Sequence, residues 1–113
     1  MHSHRFNYIE KVDFIEGFSK LADYVFNKEP KTLSYELAQS DKEEKRLLVI
    51  ERYVNKQAYT DIHRRSPDFI SFRENLNKMD VSIEGHSYIE TNIGFMANPL
   101  PRYHAGDNYK VRI

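Results

Sequence analysis

The hydrophobic and polar positions of this chain predict a helix, two strands, an interrupted helix and a last strand, in that order. Between residues 11 and 28, apolar side chains recur every three or four positions, the spacing of one buried helix face. They are Phe14, Phe18, Leu21, Ala22 and Val25. The sequence therefore predicts a helix over residues 11–28, which ends at the Glu29-Pro30 pair because proline disfavours helical geometry in the residue before it.

Two strands joined by a charged hairpin are expected after this helix. In the first strand Leu33, Tyr35 and Leu37 alternate with polar residues, as in a strand with one buried face. The second strand, residues 46–54 (RLLVIERYV), is nearly all apolar, so we expect both of its faces to be covered. The charge run in residues 39–45 is typical of a solvated turn.

Glu51 is an anion on an otherwise apolar strand face. It shares that face with Leu47, Val49 and Tyr53, because alternate residues of a strand point to the same side. A buried carboxylate needs a partner or a raised pKa. Arg52 points to the opposite face, so we expect Glu51 to pair with a residue of a helix or a neighbouring strand, in a structural ion pair or in a site.

The second helical segment is predicted to break at Ser66-Pro67. It begins near Asn55, a good N-cap, and it places Tyr59 and His63 one turn apart. Ser66 can cap a new helix, whose first position suits Pro67. The residues that follow at helical spacing are Phe69, Phe72, Arg73 and Leu76.

Residues 86–95 alternate so regularly that we expect a last strand there. One of its two sides, which carries His86, Glu90 and Asn92, is unusually polar for a sheet face. Such a face meets water or a partner with matching hydrogen bonds. The preceding segment, residues 79–85, holds a turn and has room for a short edge strand.

The two ends of the chain carry weaker patterns. Residues 1–10 allow only a short or truncated first strand, and the His2/His4 pair is more typical of a frayed terminus than of a metal site. Residues 1–97 form the predicted domain, and residues 98–113 an extended C-terminal arm. The arm has apolar residues and prolines, so we expect it to order against the domain or a partner chain.

Composition restricts the classes of function. A length of 113 residues corresponds to one domain. The formal net charge of zero gives no electrostatic footprint for nucleic acid or an anionic membrane, and it does not oppose self-association. The absence of cysteine excludes disulfides, thiolate nucleophiles and cysteine metal sites. With no apolar run of membrane-spanning length and no signal peptide in the sequence, a cytoplasmic protein is the expectation.

The central stretch of the chain resembles the antibiotic biosynthesis monooxygenase (ABM) domain. The resemblance rests on residues 29–37 (EPKTLSYEL), a short charged hairpin, and residues 49–69 (VIERYVNKQAYTDIHRRSPDF). A later piece, residues 85–96 (GHSYIETNIGFM), is similar to the last strand of that family. The match covers roughly residues 11–97.

The resemblance implies an α+β, ferredoxin-like fold, with an antiparallel sheet and helices on one face. Two such sheets would pack into a dimeric α/β barrel, with a pocket between sheet and helices in each monomer. Characterised members oxidise electron-rich aromatics such as quinols without a cofactor, or degrade haem. The haem-degrading pattern fits poorly, because it has a histidine where Arg73 stands and a tryptophan where His63 stands.

The expected function is a cofactor-independent monooxygenase acting on a small electron-rich aromatic such as a quinol or polyphenol. A deprotonated phenol can itself reduce dioxygen, so the protein needs an apolar pocket, a proton acceptor and hydrogen-bond donors. The sequence shows no P-loop, Rossmann glycine pattern, nucleophile elbow or HExxH motif, so neither a metal nor a cofactor is expected. The expected partners are a second copy of the chain and a small-molecule substrate.

The candidate catalytic residues are His63, Tyr53 and Glu51. The candidate substrate-binding residues are Tyr35, Phe69, Phe72 and Asn92. Structural interpretations stay open beside these roles, with Tyr53 as a core aromatic and His63 as a hydrogen-bonded core histidine. The alternative function is a non-catalytic dimeric module that binds a small molecule or acts in a stress response.

Overall fold

The fold is an antiparallel sheet with helices on one face. The computed structural model describes residues 2–5 and 8–96, and side chains from residue 10 to residue 96. The strands are β1 (His2–Arg5), β2 (Thr32–Gln39), β3 (Arg46–Tyr53) and β4 (Ser82–Gly85), and the α-helices are α1 (Tyr8–Lys28) and α2 (Pro67–Asn77). The sheet order is β2-β3-β1-β4 with antiparallel neighbours. This connectivity is the predicted ferredoxin-like α+β fold.

The main hydrophobic core lies between the two helices and the sheet. It is built from Phe14 and Phe18 of α1, Leu47 and Val49 of β3, and Leu76 of α2, each at most 5% exposed. These positions follow the helical and strand periods of the sequence, so the predicted helix over residues 11–28 is confirmed, with its start three residues earlier. Burial of these side chains supplies the main driving force for folding.

A β-bulge at the start of β2 creates a second, smaller core. The register shifts between Thr32 and Ser34, and Leu33 packs with Val54 and Ala58 instead of with the main core. Bulges of this kind re-aim side chains near functional sites. The shift leaves polar side chains between the two cores.

The second helical segment forms, but its first part is not α-helical. Ala58–Ile62 is a π-helical turn and His63–Arg65 a 3₁₀ turn. The Oδ1 of Asn55 accepts the Ala58 N–H at 2.9 Å, so the predicted cap is confirmed. Ser66 is extended and its Oγ accepts the Phe69 N–H at 3.2 Å, which starts α2 at Pro67 as predicted.

The predicted strand over residues 86–95 is wrong. β4 is Ser82–Gly85, and it pairs with β1 until Gly85 lies opposite His2. Beyond that pair the described residues offer no neighbouring strand, so the alternating pattern has nothing to pair with. Positive φ angles of 59° at Asn92 and 98° at Gly94 also break the extended path. The predicted short edge strand within residues 79–85 is confirmed.

The segment 86–96 is instead held by an ion pair on the sheet face away from the helices. Nε of Arg52 lies 2.5 Å from Oε1 of Glu90, and both side chains are partly buried. Arg52 therefore points away from Glu51, as the strand period predicts.

The two ends of the chain are described only in part. A short first strand forms as β1 at His2–Arg5, which is earlier than the segment around Tyr8 where the sequence suggested it, because Tyr8 already belongs to α1. The His2 and His4 side chains and the whole arm of residues 98–113 lie outside the description, so both predictions about them stand as predictions. No helix in the described part of the chain is long and apolar enough to cross a membrane.

Candidate functional site

A cavity of about 450 Å³ lies between the sheet and the helical layer. Such a volume is within the usual range of small-molecule sites. Its wall mixes polar and apolar surface and is rich in aromatic rings, which are Phe18, Tyr35, Tyr59, Phe69 and Phe72. Its charged lining residues are Glu51, Arg64 and Arg73.

Strand and helix periods explain why these side chains converge. Tyr35 of β2 lies directly opposite Glu51 of β3, so both point to the helix-covered face. On α2 the lining residues follow the i, i+3, i+4, i+7 spacing of one helix face. They are Phe69, Phe72, Arg73 and Leu76.

A buried polar cluster lies behind the Glu51 side of this cavity. His63 is fully buried, and its Nδ1 lies 2.8 Å from Oε1 of Glu29, whose side chain is 3% exposed. An ionised carboxylate can only accept, so we assign the proton to Nδ1, which donates to Glu29. This assignment leaves Nε2 with a lone pair in the neutral ring.

The Nε2 atom of His63 faces Glu51. The distance from Nε2 to Oε1 of Glu51 is 3.9 Å, and the same Oε1 accepts a hydrogen bond from the Tyr53 hydroxyl. Within residues 10–96, Nε2 of His63 and Oε2 of Glu29 are buried without a hydrogen-bond partner. Each buried polar atom without a partner lowers the stability of the fold by about 1–3 kcal/mol. Such atoms are therefore rare, and a catalytic role is one reason for which they occur.

Burial keeps the nearby phenols protonated. It raises the pKa of Tyr53 far above its ordinary value, and the Glu51 carboxylate raises it further. The pKa of Tyr35 is raised for the same two reasons, burial first. Both hydroxyls therefore remain hydrogen-bond donors through the neutral and moderately alkaline range.

Aromatic rings enclose the imidazole of His63 on several sides. The ring centroids of Phe69, Tyr35, Tyr53 and Tyr59 lie 4.7, 5.1, 5.7 and 6.2 Å from its own. Phe69, Tyr35 and Tyr59 also line the cavity, so they separate the imidazole from the cavity interior. Glu51 is the member of the polar cluster that reaches the cavity.

The structure brings together most of the predicted site. Tyr35, Glu51, Phe69 and Phe72 line the cavity. His63 and Tyr53 contact Glu51 from behind, and His63, a predicted catalytic residue, is fully buried and does not line the cavity.

Asn92 is not brought to the site. It is exposed, has a positive φ angle and does not line the cavity. The reason is the missing strand over residues 86–95, which was the basis for placing this side chain.

Four polar or aromatic residues of the site, Glu29, Tyr59, Arg64 and Arg73, were not among the predicted site residues. Glu29 was interpreted only as part of a helix end, although a glutamate before proline at the start of a strand can turn inward. Tyr59 lies four residues before His63, and Arg73 lies four residues after Phe69, so each is on the same helix face as a predicted site residue. Their helical spacing was the available signal.

Cation binding finds little support in this arrangement. No group of three or more histidine, aspartate or glutamate side chains between residues 10 and 96 has the geometry to hold a metal ion. The polar atoms of the site are suited to hydrogen bonding and proton transfer.

A family model described as antibiotic biosynthesis monooxygenase matches residues 10–75. This range contains nearly all of α1 and α2, all of β2 and β3, and the polar cluster of Glu29, Glu51, Tyr53 and His63. The chain belongs to the antibiotic biosynthesis monooxygenase family. The predicted resemblance is thereby confirmed, and at the level of the family the chain is a monooxygenase-type protein.

Solved structures with the same fold come from several bacteria. A proposed antibiotic biosynthesis monooxygenase from Caulobacter crescentus CB15 has 26% identity and a TM-score of 0.63, covering 79% of this chain and 87% of that one. A similarly described protein from Deinococcus radiodurans has 18% identity and a TM-score of 0.65, covering 84% and 97%. A Bacteroides thetaiotaomicron protein of unknown function, described as a possible oxidoreductase, has 17% identity and a TM-score of 0.65, covering 74% and 87%. No curated protein matches the chain.

Proposed function

We propose that this chain is a cofactor-independent monooxygenase that oxidises a small electron-rich aromatic such as a quinol or polyphenol. The observation that carries the proposal is the placement of Glu51. Its carboxylate lines an aromatic cavity and is supported from behind by Tyr53 and by the buried His63–Glu29 pair.

The proposed reaction needs no reductant other than the substrate. A quinol and one molecule of dioxygen give a hydroxyquinone and one water. The ring carbon forms a C–O bond to dioxygen, giving a hydroperoxide. That carbon then loses its hydrogen as a proton while the O–O bond breaks and a C=O bond forms. The substrate supplies all four electrons, and the second oxygen atom leaves as water.

Glu51 is the proposed proton acceptor. Deprotonation of the phenolic hydroxyl makes the ring electron-rich enough to react with dioxygen, and a carboxylate at the cavity wall is placed to take that proton. Once protonated, Glu51 can pass the proton to Nε2 of His63 after a small movement, since contacts in a ligand-free site are often long. Glu29 then stabilises the imidazolium and holds its orientation, as a carboxylate does behind a catalytic histidine.

His63 is thus a positioning residue that acts through Glu51. It is 0% exposed, and aromatic rings lie between it and the cavity. The tyrosines with raised pKa are donors to Glu51 or to a substrate oxygen, and their burial disfavours a role as phenolate bases.

A homodimer through the open sheet face is part of this proposal. Leu48 and Ile50 point to that face and are only partly covered in the monomer. The neighbouring segment exposes five large apolar side chains, which are Tyr88, Ile89, Ile93, Phe95 and Met96, with exposures from 49% to 97%. A monomer rarely exposes so many large apolar side chains in one segment, and a second copy of this chain, whose net charge is zero, is a suitable cover.

A non-catalytic binding module is the second candidate function. The complete enclosure of His63 favours it, because a histidine that is hydrogen-bonded to a buried carboxylate can serve the fold alone. The cavity would then bind a small aromatic without changing it.

Oxygen uptake with a panel of hydroquinones distinguishes the two functions. The proposal predicts uptake above a buffer control, and a hydroxyquinone product that carries one atom from isotopically labelled dioxygen. Addition of catalase should return no oxygen, because hydrogen peroxide is not a product. Absence of uptake with every substrate, together with measurable binding of the same compounds, would establish the binding module.

The oligomeric state has its own test. Light scattering after gel filtration at micromolar concentration should give twice the 13.5 kDa mass of the chain. Replacement of exposed Ile89 by Asp should shift the protein towards the monomer, because burying an unpaired charge in the interface is costly. A wild-type monomer at these concentrations would refute the dimer.

A further inference from the structure

We propose that Arg73, assisted by Arg64, makes the cavity selective for an aromatic ligand that carries an anionic substituent. This rests on the proposed function only in taking the cavity as the ligand site. It adds a substrate class, a phenolic aromatic acid, and a specificity-determining residue.

The position of Arg73 on α2 is the first observation. It stands on the inward stripe of the helix, between Phe72 and Leu76, where the spacing otherwise brings apolar side chains to the cavity. The side chain of Arg73 forms part of the cavity wall. The side chain is half-buried, so part of its hydration is already lost.

The lack of a compensating anion is the second observation. In the described part of the chain Arg73 has neither an ion pair nor a side-chain hydrogen bond, whereas the half-buried Arg52 on the opposite face is paired with Glu90. A half-buried guanidinium without a partner is poised for a planar carboxylate, which it binds with two parallel hydrogen bonds.

The distribution of charge in the cavity is the third observation. Arg73 and Arg64 both come from the helical layer, whereas Glu51 comes from the sheet. The Arg64 guanidinium lies 5.7 Å from the centre of the Tyr59 ring, so it is directed over an aromatic residue of the same wall. The helical side of the cavity thus contributes two positive charges and the sheet side one negative charge.

This polarity orients a ligand that carries both a phenol and an acid. Its hydroxyl is directed to Glu51 on the sheet, where the proton is accepted, and its acidic group to Arg73 on the helices. The aromatic rings of the wall hold the ring system between them. A neutral quinol makes the interaction with Glu51 and the contacts with the aromatic rings, but it has no acidic group for Arg73.

The test is a comparison of two ligands that differ only in charge. Binding of a hydroxynaphthoate and of the matching hydroxynaphthamide is measured by calorimetry without dioxygen, so that turnover plays no part. The acid should bind at least about tenfold more tightly, which corresponds to about 1.4 kcal/mol. Because the assay measures binding, its outcome is independent of whether the protein has oxygenase activity.

Variants locate the source of the preference. Arg73→Gln should remove most of the preference, because it lowers the affinity for the acid and leaves the affinity for the amide unchanged. Arg64→Gln, at an exposed residue, should remove less of the preference. Arg65→Gln is the matched control, because Arg65 is an exposed neighbour of Arg64 that does not line the cavity. If Arg73→Gln fails to fold, Arg73→Lys, which keeps the charge but loses the planar fork, should retain part of the preference.

Three results would overturn the proposal. They are equal affinity for the acid and the amide in the wild type, absence of binding by the acid, and an unchanged preference in a folded Arg73→Gln protein.

Discussion

The two faces of β3 use the same alternation of residues for opposite purposes. On the helix-covered face Leu47 and Val49 are buried in the core and Glu51 reaches a cavity. On the other face Leu48 and Ile50 remain partly exposed, and Arg52 anchors the segment 86–96 through Glu90. Each face has apolar residues followed by one charge, so the pattern alone does not distinguish them. The layer packed against each face decides what its charge does.

The largest expected difference between the faces is in core stability. Leu47→Ala should lower the free energy of unfolding by about 2–5 kcal/mol, because it leaves a cavity in a packed core. Leu48→Ala, one residue away, should lower the free energy of unfolding much less and should instead weaken the proposed dimer. Denaturant unfolding and the dimer dissociation constant, measured on both variants, check this. An equal loss of fold stability would show that the two faces are covered alike.

His63→Gln sharpens the comparison on the covered face. The glutamine amide can still donate to Glu29, but it has no basic nitrogen to face Glu51. Turnover should fall by up to about a hundredfold, the lower end of what a positioned proton-transfer group contributes. A changed pH profile of kcat/KM should accompany the loss. A drop in melting temperature with wild-type turnover per folded molecule would assign His63 a purely structural role.

The buried phenols of the covered face make a prediction about alkaline stability. The pKa values of Tyr35 and Tyr53 are raised in the folded state, whereas in the unfolded chain both phenols ionise near pH 10. Their contribution is therefore complete below pH 10 and is lost as the pH rises above it. The slope is at most about 1.4 kcal/mol per pH unit for each phenol.

Melting temperatures between pH 8 and 11 check this prediction. Tyr53→Phe should flatten the alkaline decline, whereas Tyr88→Phe, at a ring that is 72% exposed, should not. An equal effect of the two substitutions would contradict the burial of Tyr53.

The smallest expected effect belongs to the open face. The Arg52–Glu90 pair is partly exposed, with side-chain exposures of 20% and 31%, so Glu90→Gln should cost less than about 1 kcal/mol in stability. It should nevertheless increase amide hydrogen exchange in residues 86–96, because the pair ties this segment to β3. Unchanged exchange would mean that other contacts hold the segment.

The parts of the fold with strong periodicity could be predicted from the sequence. Phe14, Phe18 and Leu47 lie in the core because helix and strand periods fix their direction. The prediction of a strand at residues 86–95 was wrong. The alternation of polar and apolar residues indicates the direction of the side chains in an extended segment, but it does not show that a neighbouring strand is there to pair with it. The π-helical turn at Ala58–Ile62 also lay beyond prediction, since its geometry depends on the bond from the His63 N–H to the Ala58 and Tyr59 carbonyls.

The site shows the same limit. Glu51 and His63 were recognisable as an unusual anion and a histidine on an inward stripe. Glu29 was not, because its contact with His63 joins residues 34 positions apart and depends on the bulge at the start of β2. Arg73 was placed on the correct stripe, but only the assembled cavity shows that it lines the same cavity as Glu51.

Glu51 is the proposed acceptor of the substrate proton inside the cavity. The most direct test is the turnover of Glu51→Gln, which keeps the size of the side chain and its hydrogen bond with Tyr53 but cannot take up a proton. With an active quinol, oxygen uptake should fall by about a hundredfold or more, while substrate affinity and melting temperature stay close to wild type. Wild-type turnover in the folded variant would contradict the account.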